Sequence, residues 1–333
     1  MYTLKYEDIK TIAELHYDWD KLREKTMFIS GGTGFIGGFI IDVLRYRNRY
    51  FDNKINIIVC SRNKDGINDN ITYIKHDITQ PIIQRLPHID YIIHLASNTH
   101  PKQYSNDPIG TIITNVYGSY NLLNLAKENR VRLLLASSVE IYGDGNGIPM
   151  TEEYCGYIDC NTVRAGYNES KRVSESLCQS FISQFGIDCV IARLARVFGP
   201  DTKKDSKAMA QFIDCAVKGK DIVLKSKGEQ RFSFLYVADA VSGIIKLLLD
   251  GECGEAYNIA ADDENMTLGG YAEFISNLVG RKIIYDFVGV PGSSKSTYAI
   301  IDCNKIKKLG WTPIYSVSEG LRRTVEILKD VRL

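Results

Sequence analysis

The chain has 333 residues, 44% of them hydrophobic and 24% charged, which is long enough for a large buried core. Forty-one basic side chains against forty acidic ones leave a formal charge of +1. No whole-protein field therefore draws the molecule to nucleic acid or to an anionic membrane, and any phosphate it binds needs a local site. The charged N-terminus is unlike a secretory signal, and no apolar run approaches membrane-spanning length. Eight scattered cysteines with no CxxC pair, and five histidines without ligand spacing, predict reduced thiols, a cytoplasmic protein and no metal site.

Residues 1–25 read as an extension whose apolar stripe (Ile9, Ile12, Ala13, Leu15, Trp19, Leu22) is expected to dock on the body. Strands are then predicted at 26–30, 55–60, 72–75, 91–96, 133–137 and 189–193. Helices are predicted at 37–47, 117–128 and 167–185. Apolar strands alternating with helices predict an α/β fold, a Rossmann-type doubly wound parallel sheet covered on both faces. After Pro200 the alternation loosens, with helices expected at 208–217, 237–249, 268–278 and 318–329 and strands at 221–224, 232–236 and 282–287. This divides the chain into a dinucleotide-binding domain at 26–200 and a smaller C-terminal α/β lobe at 201–333, with the chain free to cross between them.

The first strand runs into Ser30-Gly31-Gly32-Thr33-Gly34-Phe35-Ile36-Gly37. Gly31, Gly34 and Gly37 have the spacing that permits a tight strand–helix turn and a close backbone approach to a pyrophosphate. Thr33, Phe35 and Ile36 lie within that turn, and the helix start adds free N–H groups and a partial positive charge. The bland reading of three spaced glycines is a tight turn and nothing more; the strand before, the helix after and the further alternation favour a dinucleotide. The second strand ends at Ser61-Arg62, with no acid before Asp65. The expected cofactor is NAD, with NADP as the alternative that Ser61 and Arg62 suit. Asp77 and Ile78 are placed near the adenine, and Leu95, Ala96 and Ser97 line the cofactor past the fourth strand.

Tyr167 and Lys171 stand four residues apart, on one face of a predicted helix. An ammonium near a phenol favours the phenolate, and the tyrosine can then take a proton from a sugar hydroxyl while hydride leaves to the nicotinamide. A bare YxxxK arises often by chance, but this one follows a glycine-turn domain at the appropriate distance. Ser138 is a candidate to hydrogen-bond the reacting hydroxyl, and Glu140 a candidate second acid or base. The bland alternative leaves Ser137 capping a strand and Glu140 facing solvent.

With these residues on view, the chain resembles the extended short-chain dehydrogenase/reductases. The resemblance rests on GGTGFIG, Asp77, HLAS, Asn115, SSVEIYG, YNESK and RVFGP, and spans nearly everything after residue 25. It implies a Rossmann domain with a small nucleotide-sugar lobe, a homodimer formed through the helices around 117–128 and 167–185, and a nucleotide-diphosphate sugar as substrate. It assigns Ser138, Tyr167 and Lys171 to catalysis and adds Asn115 and Ser137 to the cofactor residues. Within that family the sequence looks most like UDP-glucuronate decarboxylases, then dTDP-glucose 4,6-dehydratases, then 4-epimerases.

Three departures bear on the reaction. Val139 stands where the dehydratases carry a proton-donating aspartate. Arg196 stands where relatives carry asparagine. Phe232 replaces an arginine, with Arg231 beside it, and Ala299 replaces another. Arg196, Arg231 and Lys295, with help from Lys207, are expected to supply the charge that holds the substrate diphosphate; the alternative for Arg196 is a buried residue paired with an acid. Oxidation at carbon 4 followed by decarboxylation is the leading expectation, ahead of 4-epimerisation and 4,6-dehydration. An NADP-linked keto-sugar reductase and a non-catalytic dinucleotide sensor are the readings from other classes.

Overall fold

Thr26–Ser30 (β1) is buried along its whole length, as a strand must be when both faces of its sheet are covered. A computed structural model describes residues 3–83, 85–99, 101–201, 207–261, 266–287 and 297–332. In it β1 pairs in parallel with Asn56–Ser61 (β2) on one side and Tyr91–His94 (β5) on the other. Beyond β2 the sheet runs through Ile71–Lys75 (β4) to an antiparallel edge, Gly66–Asn68 (β3). Beyond β5 it continues through Arg132–Ser138 (β6) and Cys189–Leu194 (β7) to Ala256–Ile259 (β12), giving eight strands. Three small parallel pairs stand apart: Arg196–Phe198 (β8) with Phe234–Tyr236 (β11), Ile222–Leu224 (β9) with Ile283–Tyr285 (β13), and Arg231–Phe232 (β10) with Tyr298–Ala299 (β14).

The period of two along β1 sorts its side chains between two cores. Met27 and Ile29 join one cluster with Phe39, Ile40 and Leu44 of Phe35–Phe51 (α2) and with Val237–Asp250 (α7). Phe28 points the other way, into a cluster with Leu122, Leu123 and Ala126 of Pro108–Asn129 (α4) and Cys178 and Phe181 of Ala165–Phe185 (α5). The chain builds outward from β1 to β2 and β4, then crosses to β5 on the opposite side. A crevice therefore opens at the carboxyl ends of β1 and β5, where ligands bind in such sheets.

The extension is docked. Thr3–Ala13 (α1) lies against α2 and α7 and against Val317–Arg332 (α10), burying Ile9, Ile12 and Ala13. Asp8, with no exposed surface, accepts hydrogen bonds from the Tyr236 hydroxyl at 2.6 Å and Arg323 Nε at 2.8 Å.

Several boundaries differ from the sequence expectation. α4 begins nine residues early because Asp107 caps it, accepting from Gly110 N at 2.9 Å, with proline at the first helical position. The apolar run at 232–236 is two strands, because Ser233 breaks it: its N–H donates to Ala299 O and its hydroxyl accepts from Ile301 N. β12, a four-residue strand from beyond residue 200, edges the central sheet and was not evident from pattern alone.

Candidate active site

The glycine turn has no room for side chains. Gly31 sits at φ +76°, and a Cβ there would lie 2.7 Å from Ala96 N. A Cβ on Gly37 would meet Gly31 O at 2.4 Å and Gly32 Cα at 2.6 Å. The turn is thus pressed against the start of α2 on one side and the end of β5 on the other. Gly34 caps α2, and Thr33 is exposed at the tip. This is a cradle for a pyrophosphate at a helix N-terminus, and the residues fit a dinucleotide. Beneath it His94 is buried and kept neutral, its pKa pulled down to about 3 by burial and then by the Lys171 charge; its Nδ1 lies 2.8 Å from Ser30 Oγ.

Tyr167 and Lys171 enter the crevice from the first turns of α5, and both are buried. Lys171 Nζ donates to Ala136 O at 2.8 Å. Burial draws its pKa down to about 8, opposed by the nearby carboxylate of Glu175. Glu175 is held by Arg193 at 2.7 Å and by the Ser137 hydroxyl at 2.5 Å. The Tyr167 phenol interacts with the hydroxyls of Ser138 and Ser97. Ser97 donates to Asn115 Oδ1 at 2.7 Å, and Asn115 Nδ2 to Ser170 Oγ at 2.8 Å, so a polar chain links the phenol to α4. The phenol pKa is raised, first by burial; the two serine hydroxyls act to lower it, while Glu140 and Tyr104 raise it further. The expectation that Lys171 depresses it does not describe this geometry: the ammonium is spent on a backbone carbonyl, and loss of solvent outweighs the rest.

The opposite wall is a charged cluster. Glu140 follows Ser138 in a short 3₁₀ turn, and Ser138 Oγ accepts from Glu140 N at 3.2 Å. Glu140 does not face solvent alone. Arg196 Nη2 donates to its Oε1 at 3.0 Å, and Arg164 Nη2 lies 3.6 Å from its Oε2. The Arg196 guanidinium rests 3.8 Å over the Phe232 ring, and its Nη1 is buried with no hydrogen-bond partner among the described residues. Tyr104 stacks on Tyr167 at 5.4 Å between centroids.

A profile of the NAD dependent epimerase/dehydratase family matches residues 27–260. The chain belongs to that family. Members similar to it include UDP-glucuronic acid decarboxylase 1 of Xenopus tropicalis, 32% identical over 98% of this chain and 76% of its own length. UDP-glucuronic acid decarboxylase 3 of Arabidopsis thaliana is 35% identical over 89% of this chain and 86% of its own. The fold matches that of a UDP-glucose 4-epimerase from Thermotoga maritima (TM-score 0.80, 23% identity, 92% of this chain and all of that one). It also matches a dTDP-glucose 4,6-dehydratase from Bacillus anthracis in complex with NAD (TM-score 0.75, 22% identity, 92% and 97%). The protein is an enzyme whose cofactor is a nicotinamide adenine dinucleotide, as its family and the glycine cradle agree.

In this family member the structure brings Tyr167, Ser138, Glu140, Ser97, Asn115 and Arg196 into one connected group of contacts, with Lys171 one helical turn after Tyr167. Leu95 and Ala96 flank this group past β5, and Phe35 and Ile36 pack half-buried behind the turn. Ile78 is buried, with its carbonyl accepting from Asn121. Asp77 is exposed and accepts from Thr79 N, closing its own turn. Arg231 is exposed on β10, Lys207 caps Ala208–Val217 (α6), and Lys295 lies outside the described residues. Sequence reading missed Arg164, Glu175 and Tyr104. Arg164 had a usable signal, lying three residues before Tyr167. Tyr104 had none, because its stack on Tyr167 depends on how Pro101–Asn106 (α3) packs against α4.

Gly37→Ala is expected to push the turn out of place and weaken dinucleotide binding at least about tenfold, the loss of one charge-assisted hydrogen bond. Gly38→Ala is the control, since a Cβ there meets only Gly32 O at 4.0 Å. Fluorescence titration of both variants with reduced cofactor checks this.

Proposed function

We propose that this enzyme decarboxylates a UDP-linked uronic acid of the UDP-glucuronate type. The observation that supports the reading is the spare donor of Arg196. A buried guanidinium N–H without an acceptor costs free energy. It lies beside the Glu140–Ser138 turn, where a sugar carboxylate is a charged acceptor and a neutral hexose offers only hydroxyl oxygens. Arg196 thereby serves the sugar rather than the diphosphate. Val139, buried and apolar, stands where water loss would need an acid, so elimination is disfavoured. The two UDP-glucuronic acid decarboxylases named above, 32% and 35% identical to this chain, support the same reaction.

When bound, the oxidised nicotinamide would supply a hydride acceptor and a positive charge that favours the phenolate. Tyr167 takes the proton of the carbon-4 hydroxyl, and Ser138 orients that hydroxyl. Once carbon 4 is a ketone, the carboxylate on carbon 5 leaves as carbon dioxide and its bonding electrons form an enolate, which takes a proton from water at carbon 5; the hydride would then return to carbon 4 as Tyr167 gives its proton back to the oxygen. Lys171 keeps positive charge under the site. Exposed Ile109, Tyr117 and Tyr120 on α4 and Val173 on α5 support a homodimer through these helices. All eight cysteines are free thiols, which suits the cytoplasm.

Incubation with UDP-glucuronate, UDP-glucose and dTDP-glucose, followed by mass spectrometry, tests the reading. Loss of carbon dioxide from UDP-glucuronate is expected. Loss of water, or an isomer of unchanged mass, would overturn it in favour of dehydration or 4-epimerisation. Arg196→Met is expected to weaken UDP-glucuronate binding by about 10–100-fold, the worth of a hydrogen bond to a charged group, and to leave UDP-glucose affinity unchanged by calorimetry.

A further inference from the structure

The strand end that meets the adenosine ribose in this fold carries no acid. β2 closes on Ser61, and Arg62, Asn63 and Lys64 precede the first carboxylate, Asp65. Asp65 Oδ1 lies 3.4 Å from Lys75 N, across the β3–β4 hairpin. Beside this strand end, between the glycine turn, α2 and β4, opens a cleft of about 370 Å3 lined by Gly32, Thr33, Lys5, Arg45 and Lys64. Two carboxylates share it, and each has a cation. Asp42 pairs with Lys5 of the N-terminal helix at 2.8 Å, and Asp69 with Arg45 at 3.4 Å. Lys64 has the face of Tyr73, 5.0 Å away, and pairs with no carboxylate among the described residues. Arg62 is exposed and meets no carboxylate among the described residues. The pairing leaves Lys64 in the cleft, and Arg62 at the adjoining end of β2, without a carboxylate among the described residues; β2 ends beside β1, with Cys60 opposite Ser30.

A plain ribose gives those charges nothing to bind, since its 2′-hydroxyl is normally held by an acid. A phosphate on that hydroxyl suits an arginine fork and a lysine point charge. We propose that the adenosine end of this site is built for a 2′-phosphate, held by Ser61, Arg62 and Lys64, so that NADP(H) binds in preference to NAD(H). The 2′-phosphate lies at the far end of the cofactor from the nicotinamide, so the preference is independent of the reaction proposed above. Lys5 gives the N-terminal extension a part in this site, by neutralising Asp42 on the wall of the cleft.

The test uses the adenosine end alone. The full-length protein, with retained nucleotide exchanged out, is titrated calorimetrically with 2′,5′-ADP and with 5′-ADP. The phosphorylated ligand is expected to bind at least about tenfold tighter, the worth of one charge-assisted contact. Arg62→Ala/Lys64→Ala is expected to bring the two to parity, with an unchanged melting temperature reporting that the fold is intact. Arg62→Asp is expected to reverse the order. Equal or tighter binding of 5′-ADP by the unmodified protein, or survival of the preference in the double variant, would overturn the proposal.

Discussion

Tyr167→Phe is expected to lower turnover of UDP-glucuronate by about 10³-fold, within the range for removing a positioned acid–base group, while dinucleotide affinity stays unchanged. The substitution is conservative everywhere except at the hydroxyl. The ring keeps its stack on Tyr104, 5.4 Å between centroids, and its place on α5. Ser97 keeps Asn115 as a partner. What is lost is the phenol hydroxyl that meets both Ser138 and Ser97. Steady-state kinetics beside a cofactor titration separates chemistry from binding. A variant that retains most of its turnover would move the base to Glu140, which shares the crevice.

Asp8→Ala is expected to destabilise the fold by about 3–5 kcal/mol, the cost of leaving one member of a buried ion pair alone. Asp8 is fully buried on α1 and faces Arg323, whose side chain is 9% exposed, and the Tyr236 hydroxyl. Removing the carboxylate takes away the closest acceptor of a buried guanidinium and leaves it Leu4 O and Glu7 of α1, both at 3.2 Å, and Glu319 at 3.6 Å. A fall in melting temperature on the order of 10 °C is expected, measured by differential scanning calorimetry. Adding Arg323→Met should recover much of the loss, since an apolar replacement of a whole buried pair is often near neutral. If Asp8→Ala melts like the parent, the extension adheres through Ile9 and Ile12 alone and the pair contributes nothing.

The elements that were legible in the sequence share one property: the residues that specify them are neighbours in the chain. A glycine turn between an apolar strand and a helix needs small residues at fixed spacing, so Gly31, Gly34 and Gly37 announced it. A tyrosine and a lysine four apart on a helix face one way, so their shared crevice followed from α5 being helical. The glycine turn and the placing of Tyr167 beside Lys171 on α5 were both within reach of such local argument.

What was not legible depends on partners far apart. Arg196 read as a diphosphate ligand because its charge was visible and its partner was not. Glu140, 56 residues earlier, meets it because β6 and β8 bring both to the same crevice. The phenol's raised pKa was read with the wrong sign, because sequence shows the nearby ammonium but not the depth of burial. Strand β12 carries only four residues, too few to show a period, and is placed by pairing with β7.

The sequence by itself determined the α/β alternation, the dinucleotide turn and the Tyr167–Lys171 couple, because backbone sterics and helical spacing act over a few residues. Only the tertiary structure decided that Asp8 grips Arg323 across 315 positions and that Arg196 leans on Glu140 and Phe232. Desolvation and Coulomb attraction are set by distance in space, and spacing along the chain carries no record of them until the sheet has closed.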